Sequence, residues 1–193
     1  YCYICNMNKA LVKKNIFSSS INLDDPSLDV LMQSAEIRKS LKGTALITEG
    51  KRSDFLYILV RGSAKSYYYK DAKQICLWFA FDNDCISTIS TYERQISNET
   101  VELLEDSEFI QFNMDHVKEL SHNNLAVSNL ILTLIKEHAL FLEYKLNGLQ
   151  FMTSEERYHK LVLDFPEILQ KVSLTDIASY LGISRETLSR IRA

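Results

Sequence analysis

The chain has 193 residues, 46% of them hydrophobic and 24% charged, which is enough apolar material to bury one large core or two small ones and excludes disorder as the main state. Its formal net charge of −3 excludes a general attraction to phosphate backbones, so any affinity for nucleic acid must come from a local basic surface. Four cysteines, at positions 2, 5, 76 and 85, are too few and too unevenly spaced for the disulfide framework of a small secreted domain and read as free thiols.

In chain order, Asp25-Pro26 has the form of an N-cap followed by proline at the first helical position, opening a short helix through Leu28, Leu31 and Met32. From Ile37 to about Phe112 the signals are short β-type runs broken by turns, with no helix-period segment among them. LKGTALITEG ends in glycine, FLYILVRGSAKSYYY is apolar and then alternating, and QICLWFAF puts Ile75, Leu77, Phe79 and Phe81 on one face. Strands this short and evenly spaced predict a β-sandwich or barrel. From about Met114 the period becomes helical. Between Leu125 and Leu149 two apolar rows run, one through Ile131, Ile135, Leu142, Leu146 and Leu149, the other through Leu130, Leu134, Phe141 and Tyr144. Two rows imply two partners, the β-domain and a second copy of the chain, and Leu130, Ile131, Leu134, Ile135, Phe141 and Leu142 are the expected homodimer contacts. A helix buried inside a monomer is the competing reading. Asn147-Gly148 reads as the end of this helix.

Thr153-Ser154-Glu155-Glu156 has capping-box spacing and opens a helix that stops before Pro166. Ser173 caps another, with Asp176 in its first turn, Ile177, Ala178 and Leu181 turned inward, and Gly182 at its end. Ser184 caps a third, with Thr187, Leu188 and Ile191 on the inner side. Two short helices joined by a glycine turn form a helix-turn-helix. Arg185, Glu186, Ser189, Arg190 and Arg192 then face outward, where the leading residues of a second helix meet base edges. Arg185 and Arg190 can donate to guanine O6 and N7, and Glu186 can accept from cytosine N4, while Ser184, Ser189 and Arg192 suit phosphate. A small helical bundle with an ordinary charged face is the alternative.

Residues 82–108, DNDCISTISTYERQISNETVELLEDSE, carry eight carboxylates and one basic residue, Arg94, in contrast to the arginine-rich end of the chain. Asp84, Glu99 and Glu102 lack the tight acidic spacing of hard-cation sites, and no metal is expected. The histidines at 116, 122, 138 and 159 show no metal-ligand spacing, and neither a Gly-x-Ser-x-Gly elbow nor a phosphate loop is present, so the chain does not read as an enzyme. The N-terminus lacks the charged start and apolar core of a signal peptide, and no uninterrupted apolar run approaches the roughly 20 residues of a bilayer span, so the cytoplasm is the expected compartment with no membrane partner.

LKGTALITEGKRSDFLYILVRGSAKSYYYKDAKQICLWFAF resembles the β-roll of the Crp/Fnr family of bacterial transcription regulators, and IASYLGISRETLSRIR resembles that family's recognition motif. Gly43, Glu49-Gly50, Asp54, Leu56-Tyr57 and Arg61-Gly62 stand where the family's β-roll places its turns and buried strand. The resemblance implies an α+β chain in three parts. These are a double-stranded, cupin-like β-roll with short N-terminal helices over 1–120, a long dimerisation helix and hinge over 121–150, and a helix-turn-helix DNA-binding domain over 151–193. It also implies a regulator working as a homodimer on a near-palindromic operator of double-stranded DNA, with RNA polymerase as a further candidate partner. Relatives that bind cyclic AMP hold its phosphate with an open glycine and an arginine. The matching places here read Asn83-Asp84-Cys85 and Ser97-Asn98-Glu99, and like charges 4 Å apart repel by roughly 4 kcal/mol at an effective dielectric of 20. Cyclic AMP is therefore not the expected effector. Tyr67, Trp78, Asp84, Arg94 and Glu99 remain the candidate lining of a pocket for some other small molecule, or for none. No cofactor is expected: Cys2-x-x-Cys5 has cluster-like spacing, but related oxygen sensors bunch three ligands where this chain bunches two. A redox or iron-sulfur sensor, and a β-roll interaction module with a degenerate DNA domain, are the alternative functions.

Overall fold

The structure is a computed structural model that describes residues 25–193; Cys2 and Cys5, and with them the clustered half of the iron-sulfur reading, lie outside the described residues. Two antiparallel four-stranded sheets face each other. One runs β1 (Ala35–Ser40), β8 (Ser107–Asn113), β3 (Phe55–Arg61), β6 (Cys85–Ile86). The other runs β2 (Ala45–Ile47), β7 (Thr100–Leu103), β4 (Ala64–Lys70), β5 (Lys73–Ala80). This is a jelly roll. Helices α1 (Asp25–Met32), α2 (Ile89–Glu93), α3 (Met114–Asn123) and α4 (Leu125–Phe151) accompany it. A C-terminal module follows, made of α5 (Ser154–Asp164), α6 (Ile168–Lys171), α7 (Leu174–Leu181) and α8 (Arg185–Arg192).

The unbroken apolar run FLYILV is explained by burial on both faces of β3. Tyr57 and Leu59 point between the sheets, joining Ile47, Ile86, Val101, Leu103 and Phe109. Leu56 and Ile58 point the other way, joining Ile110 and Phe112 under Leu28, Met114, Val117, Val127, Leu130 and Ile131 of α1, α3 and α4. The β3–β4 turn admits only glycine. Gly62 has φ +137, and a Cβ there would lie 2.1 Å from the Ser107 hydroxyl.

Four features differ from the sequence reading. The short helix α2 interrupts the β-region, held by Thr88, whose hydroxyl accepts the Thr91 N–H. The row Ile75, Leu77, Phe79, Phe81 breaks at Leu77, because Tyr67 pairs Cys76 while Ser66 pairs Trp78. Beyond this bulge Trp78 and Ala80 face the inter-sheet core, and Phe79 and Phe81 face the C-terminal module. Helix α4 does not end at Asn147-Gly148 but continues to Phe151, with the Met152 N–H still bonded to the Gly148 carbonyl. Finally, α4 is long and apolar enough, by length and composition alone, to cross a membrane, with a mean hydropathy of 1.5, although polar residues interrupt its apolar runs. Lys136 and Glu137 stand near its middle, where each charge would cost about 2.5–3.5 kcal/mol in a bilayer.

Candidate nucleic-acid interface

The outward face of α8 is assembled by caps and a small core. Gly182 ends α7 in the left-handed conformation, φ +69, and its N–H bonds the Ala178 and Ser179 carbonyls. Ser184 caps α8, accepting the Thr187 N–H at 3.1 Å, with its hydroxyl 3.2 Å from that of Thr187. Leu188 is buried with Ile177, Ala178 and Leu181, and Ile191 is half-buried beside them. The residues between must then face water, and Arg185, Glu186, Ser189, Arg190 and Arg192 are all exposed. The backbone N–H of Glu186 itself, the Ser184 hydroxyl and then Arg185 and Arg190 hold the Glu186 carboxyl below the usual range, so it remains an acceptor. Ser184, expected at phosphate, accepts through its oxygen in the cap, a role distinct from the O–H donation that a phosphate would take.

The five residues proposed to line an effector pocket are not brought into one cavity. Trp78 and Glu99 do meet, the indole N–H donating to Glu99 Oε2 at 2.9 Å, and the buried Ser66 hydroxyl donates to the same oxygen. A half-buried carboxylate is thus fixed beside the inter-sheet residues Ser66 and Trp78. Tyr67 points from the other face of β4 and donates to Glu102 at 3.0 Å, and burial first, then Glu102, raises its pKa. Asp84 shapes the β5–β6 turn, its Oδ2 accepting the Phe81 N–H at 2.8 Å, with Asn83 at φ +79 inside that turn. Arg94 ends α2 at φ +61 and clasps Asp54 at 2.9 Å and Asp115. Its guanidinium joins three segments instead of waiting for an anion. Among the described residues no group of three His, Cys, Asp or Glu side chains could hold a metal ion. Burial pushes the thiols of Cys76 and Cys85 up to about 12, so both are protonated.

The six expected dimer contacts fall on two faces. Leu130 and Ile131 are buried against their own β-roll, and Leu134 and Phe141 are half-buried, so the first pair cannot meet a second copy. Ile135 and Leu142 lie on the other face, in an exposed row with Leu132, Ala139, Leu146 and Leu149. That row alternates three- and four-residue steps, the a/d repeat of a coiled coil. Of the row Ile131, Ile135, Leu142, Leu146 and Leu149 only Ile131 is buried, and of the row Leu130, Leu134, Phe141 and Tyr144 the first three turn toward the β-roll, so the list of six dimer contacts mixed the faces because it drew on both rows.

The architecture is thus a double-sheet β-roll, a long helix with an exposed apolar seam and an arginine-bearing helix pair. Residues 37–124 match the cyclic nucleotide-binding domain. No curated protein matches in sequence. Among solved structures the chain is similar to FixK2 from Bradyrhizobium japonicum, at 18% identity and a TM-score of 0.73, over 82% of each chain. It is also similar to the c-di-GMP responsive global regulator CLP of Xanthomonas campestris, at 16% identity and 0.69, covering 87% of this chain and 89% of that one. The catabolite activator protein of Thermus thermophilus aligns at 16% and 0.58, over 89% and 83%. At these identities the likeness is one of fold.

Proposed function

We propose that the chain is a cytoplasmic DNA-binding transcription regulator of the Crp/Fnr type, a homodimer that does not respond to cyclic AMP and does not act as an enzyme. The observation that carries this reading is the exposed set Arg185, Glu186, Ser189, Arg190 and Arg192 on a helix anchored by Leu188 and capped by Ser184. The pair α7–α8 serves as the helix-turn-helix, with α8 entering the major groove. Arg185, Glu186 and Arg190 read bases, and Ser189 and Arg192 meet phosphate. The resemblance in fold to a global regulator and a catabolite activator protein supports this output. The exposed seam Leu132, Ile135, Ala139, Leu142, Leu146 and Leu149 serves as the dimer contact, which puts the two recognition helices on half-sites about 34 Å apart.

The β-roll's effector is not a cyclic nucleotide on this reading. The half-buried Glu99 carboxylate is held by Trp78 and Ser66, and Arg94 is committed to two aspartates, so an anionic phosphate would meet a carboxylate without the Arg94 guanidinium to offset it. Selection of bound sequences from a random duplex pool tests the output, with a two-fold symmetric motif expected. Calorimetry tests the input: no heat is expected from cyclic AMP or cyclic GMP, and a micromolar Kd for either overturns this part.

A further inference from the structure

The C-terminal module does not hang free of the β-roll. Strand β5 is the edge of the second sheet, so one side of its backbone has no strand partner among the described residues, and open edges invite pairing with other chains. Helix α7 covers that edge. The Ser179 hydroxyl donates to the Gln74 carbonyl at 3.0 Å and accepts the Cys76 N–H at 2.9 Å, standing in for a neighbouring strand. Lys145 of α4 donates to the Leu77 carbonyl farther along the strand and lies 4.3 Å from the ring centre of Tyr180, which itself packs on Phe79 at 5.3 Å.

Beside these contacts sits an ion pair with little access to water. Lys65 Nζ, from β4, lies 3.0 Å from Asp176 Oδ1, the two side chains being 10% and 12% exposed. Asp176 is prepared by its own helix: it lies in the first turn of α7, where the backbone dipole favours a carboxylate, and the Ser173 hydroxyl donates to Oδ2 at 2.7 Å, leaving Oδ1 for the lysine. A pair this buried gains little stability, because both ions lose their water, but removing one partner strands the other. It therefore acts on which arrangement is adopted. The strand alternation makes the link to the interior direct. Ser66 points into the β-roll at Glu99 and Trp78, while the preceding Lys65 points out at α7.

We propose that Lys65, Asp176 and Ser179 are positioning residues for DNA recognition. The edge of the effector sheet holds α7, and through their shared core α8, in one orientation, so a shift of β4 or β5 reaches the recognition helix. This rests on the DNA-binding reading of α8 and adds to it a group that acts on DNA without touching it. Hydrogen exchange on the full chain and operator binding test it together. Lys65→Met strands Asp176, so exchange over residues 74–79 is expected to rise by roughly tenfold or more while the inter-sheet core keeps its protection. The same variant should lose discrimination against operators whose half-sites are moved by about five base pairs, half a helical turn. Adding Asp176→Leu replaces the pair with an apolar contact and is expected to restore both readouts. Ser179→Ala, which leaves the β-roll interior untouched, should speed exchange at the Cys76 amide. Unchanged exchange in both Lys65→Met and Ser179→Ala overturns the proposal, as does a double variant no better than Lys65→Met. Exchange needs no DNA, so a wild-type chain that binds no operator retires the DNA reading alone. Lost docking with unaltered spacing preference retires the positioning role alone.

Discussion

Arg185 and Arg190 stand one helical turn and a half apart on α8, exposed and without a carboxylate clamped to either, unlike Arg94, which two aspartates hold. On the proposed reading, that difference separates the arginines left to read DNA from one that serves the fold. Replacing either Arg185 or Arg190 with alanine is expected to weaken operator binding by roughly 1–3 kcal/mol and to relax preference at one base pair per half-site, measured by competition titration with single-base variants. An equal loss on every sequence would reassign that arginine to phosphate. Asp84 belongs to the opposite case. Its duty is the Phe81 N–H, and Asp84→Asn keeps that acceptor while shedding a charge near Asp82 and Glu167, so thermal unfolding is expected to leave Tm unchanged or raised. Asp84→Ala loses the acceptor and is expected to cost about 1 kcal/mol. The outward set on α8 was legible because capping and the 3.6 period depend on neighbours in sequence. The separation of Asp84, Arg94 and Glu99 was not, since their partners Phe81, Asp54, Asp115, Ser66 and Trp78 are chosen by tertiary contact.

Among elements, α4 carries the most information that a period can encode and the most that it can confuse. Its apolar content was evident, but which row is core depends on where the β-roll sits, and Leu130 and Ile131 proved to be inside. Leu142→Glu or Leu146→Glu is expected to give a folded monomer by sedimentation, because the charge falls on the exposed seam. Leu130→Ala is expected to cost roughly 2–5 kcal/mol of folding stability instead, read from urea midpoints. The docking of the C-terminal module has a second ionic anchor, Lys171, 3.0 Å from Glu105 and 3.6 Å from Asp82. Partial burial alone would raise the Glu105 pKa, but bonds from Ser63 and Lys171 outweigh it and hold the carboxyl below its ordinary 4.5. Burial would likewise lower Lys171, but Glu105 and Asp82 outweigh it and hold the amine above its ordinary 10.5. A depressed carboxyl contributes stability above its unfolded pKa that is lost as pH falls through the folded one, and a raised amine loses its share as pH rises through its folded value. The anchor is therefore expected to weaken only below about pH 4.5 and above about pH 10.5, so exchange at residues 74–79 should show no step between. The short α2 and the Leu77 bulge escaped sequence reading for a shared reason: five residues of helix and one unpaired residue are shorter than any period.

At the scale of the molecule, charge is divided by task. Residues 82–108 carry carboxylates that cap turns, bind Trp78 and anchor Lys171, and residues 182–193 carry three exposed arginines on the helix pair. The order of β-roll, long helix and helix pair was legible from turn spacing and change of period. The seating of α7 on β5 was not, because Lys65 and Asp176 lie 111 residues apart in the chain. Footprinting of the full-length dimer on operator DNA selected from a random pool tests the central claim most directly. Two protected major-groove segments centred about 34 Å apart are expected, both lost in Arg185→Ala/Arg190→Ala while that variant stays folded and dimeric. A folded, dimeric wild-type chain that holds no selected sequence more tightly than bulk competitor DNA at physiological salt would contradict it.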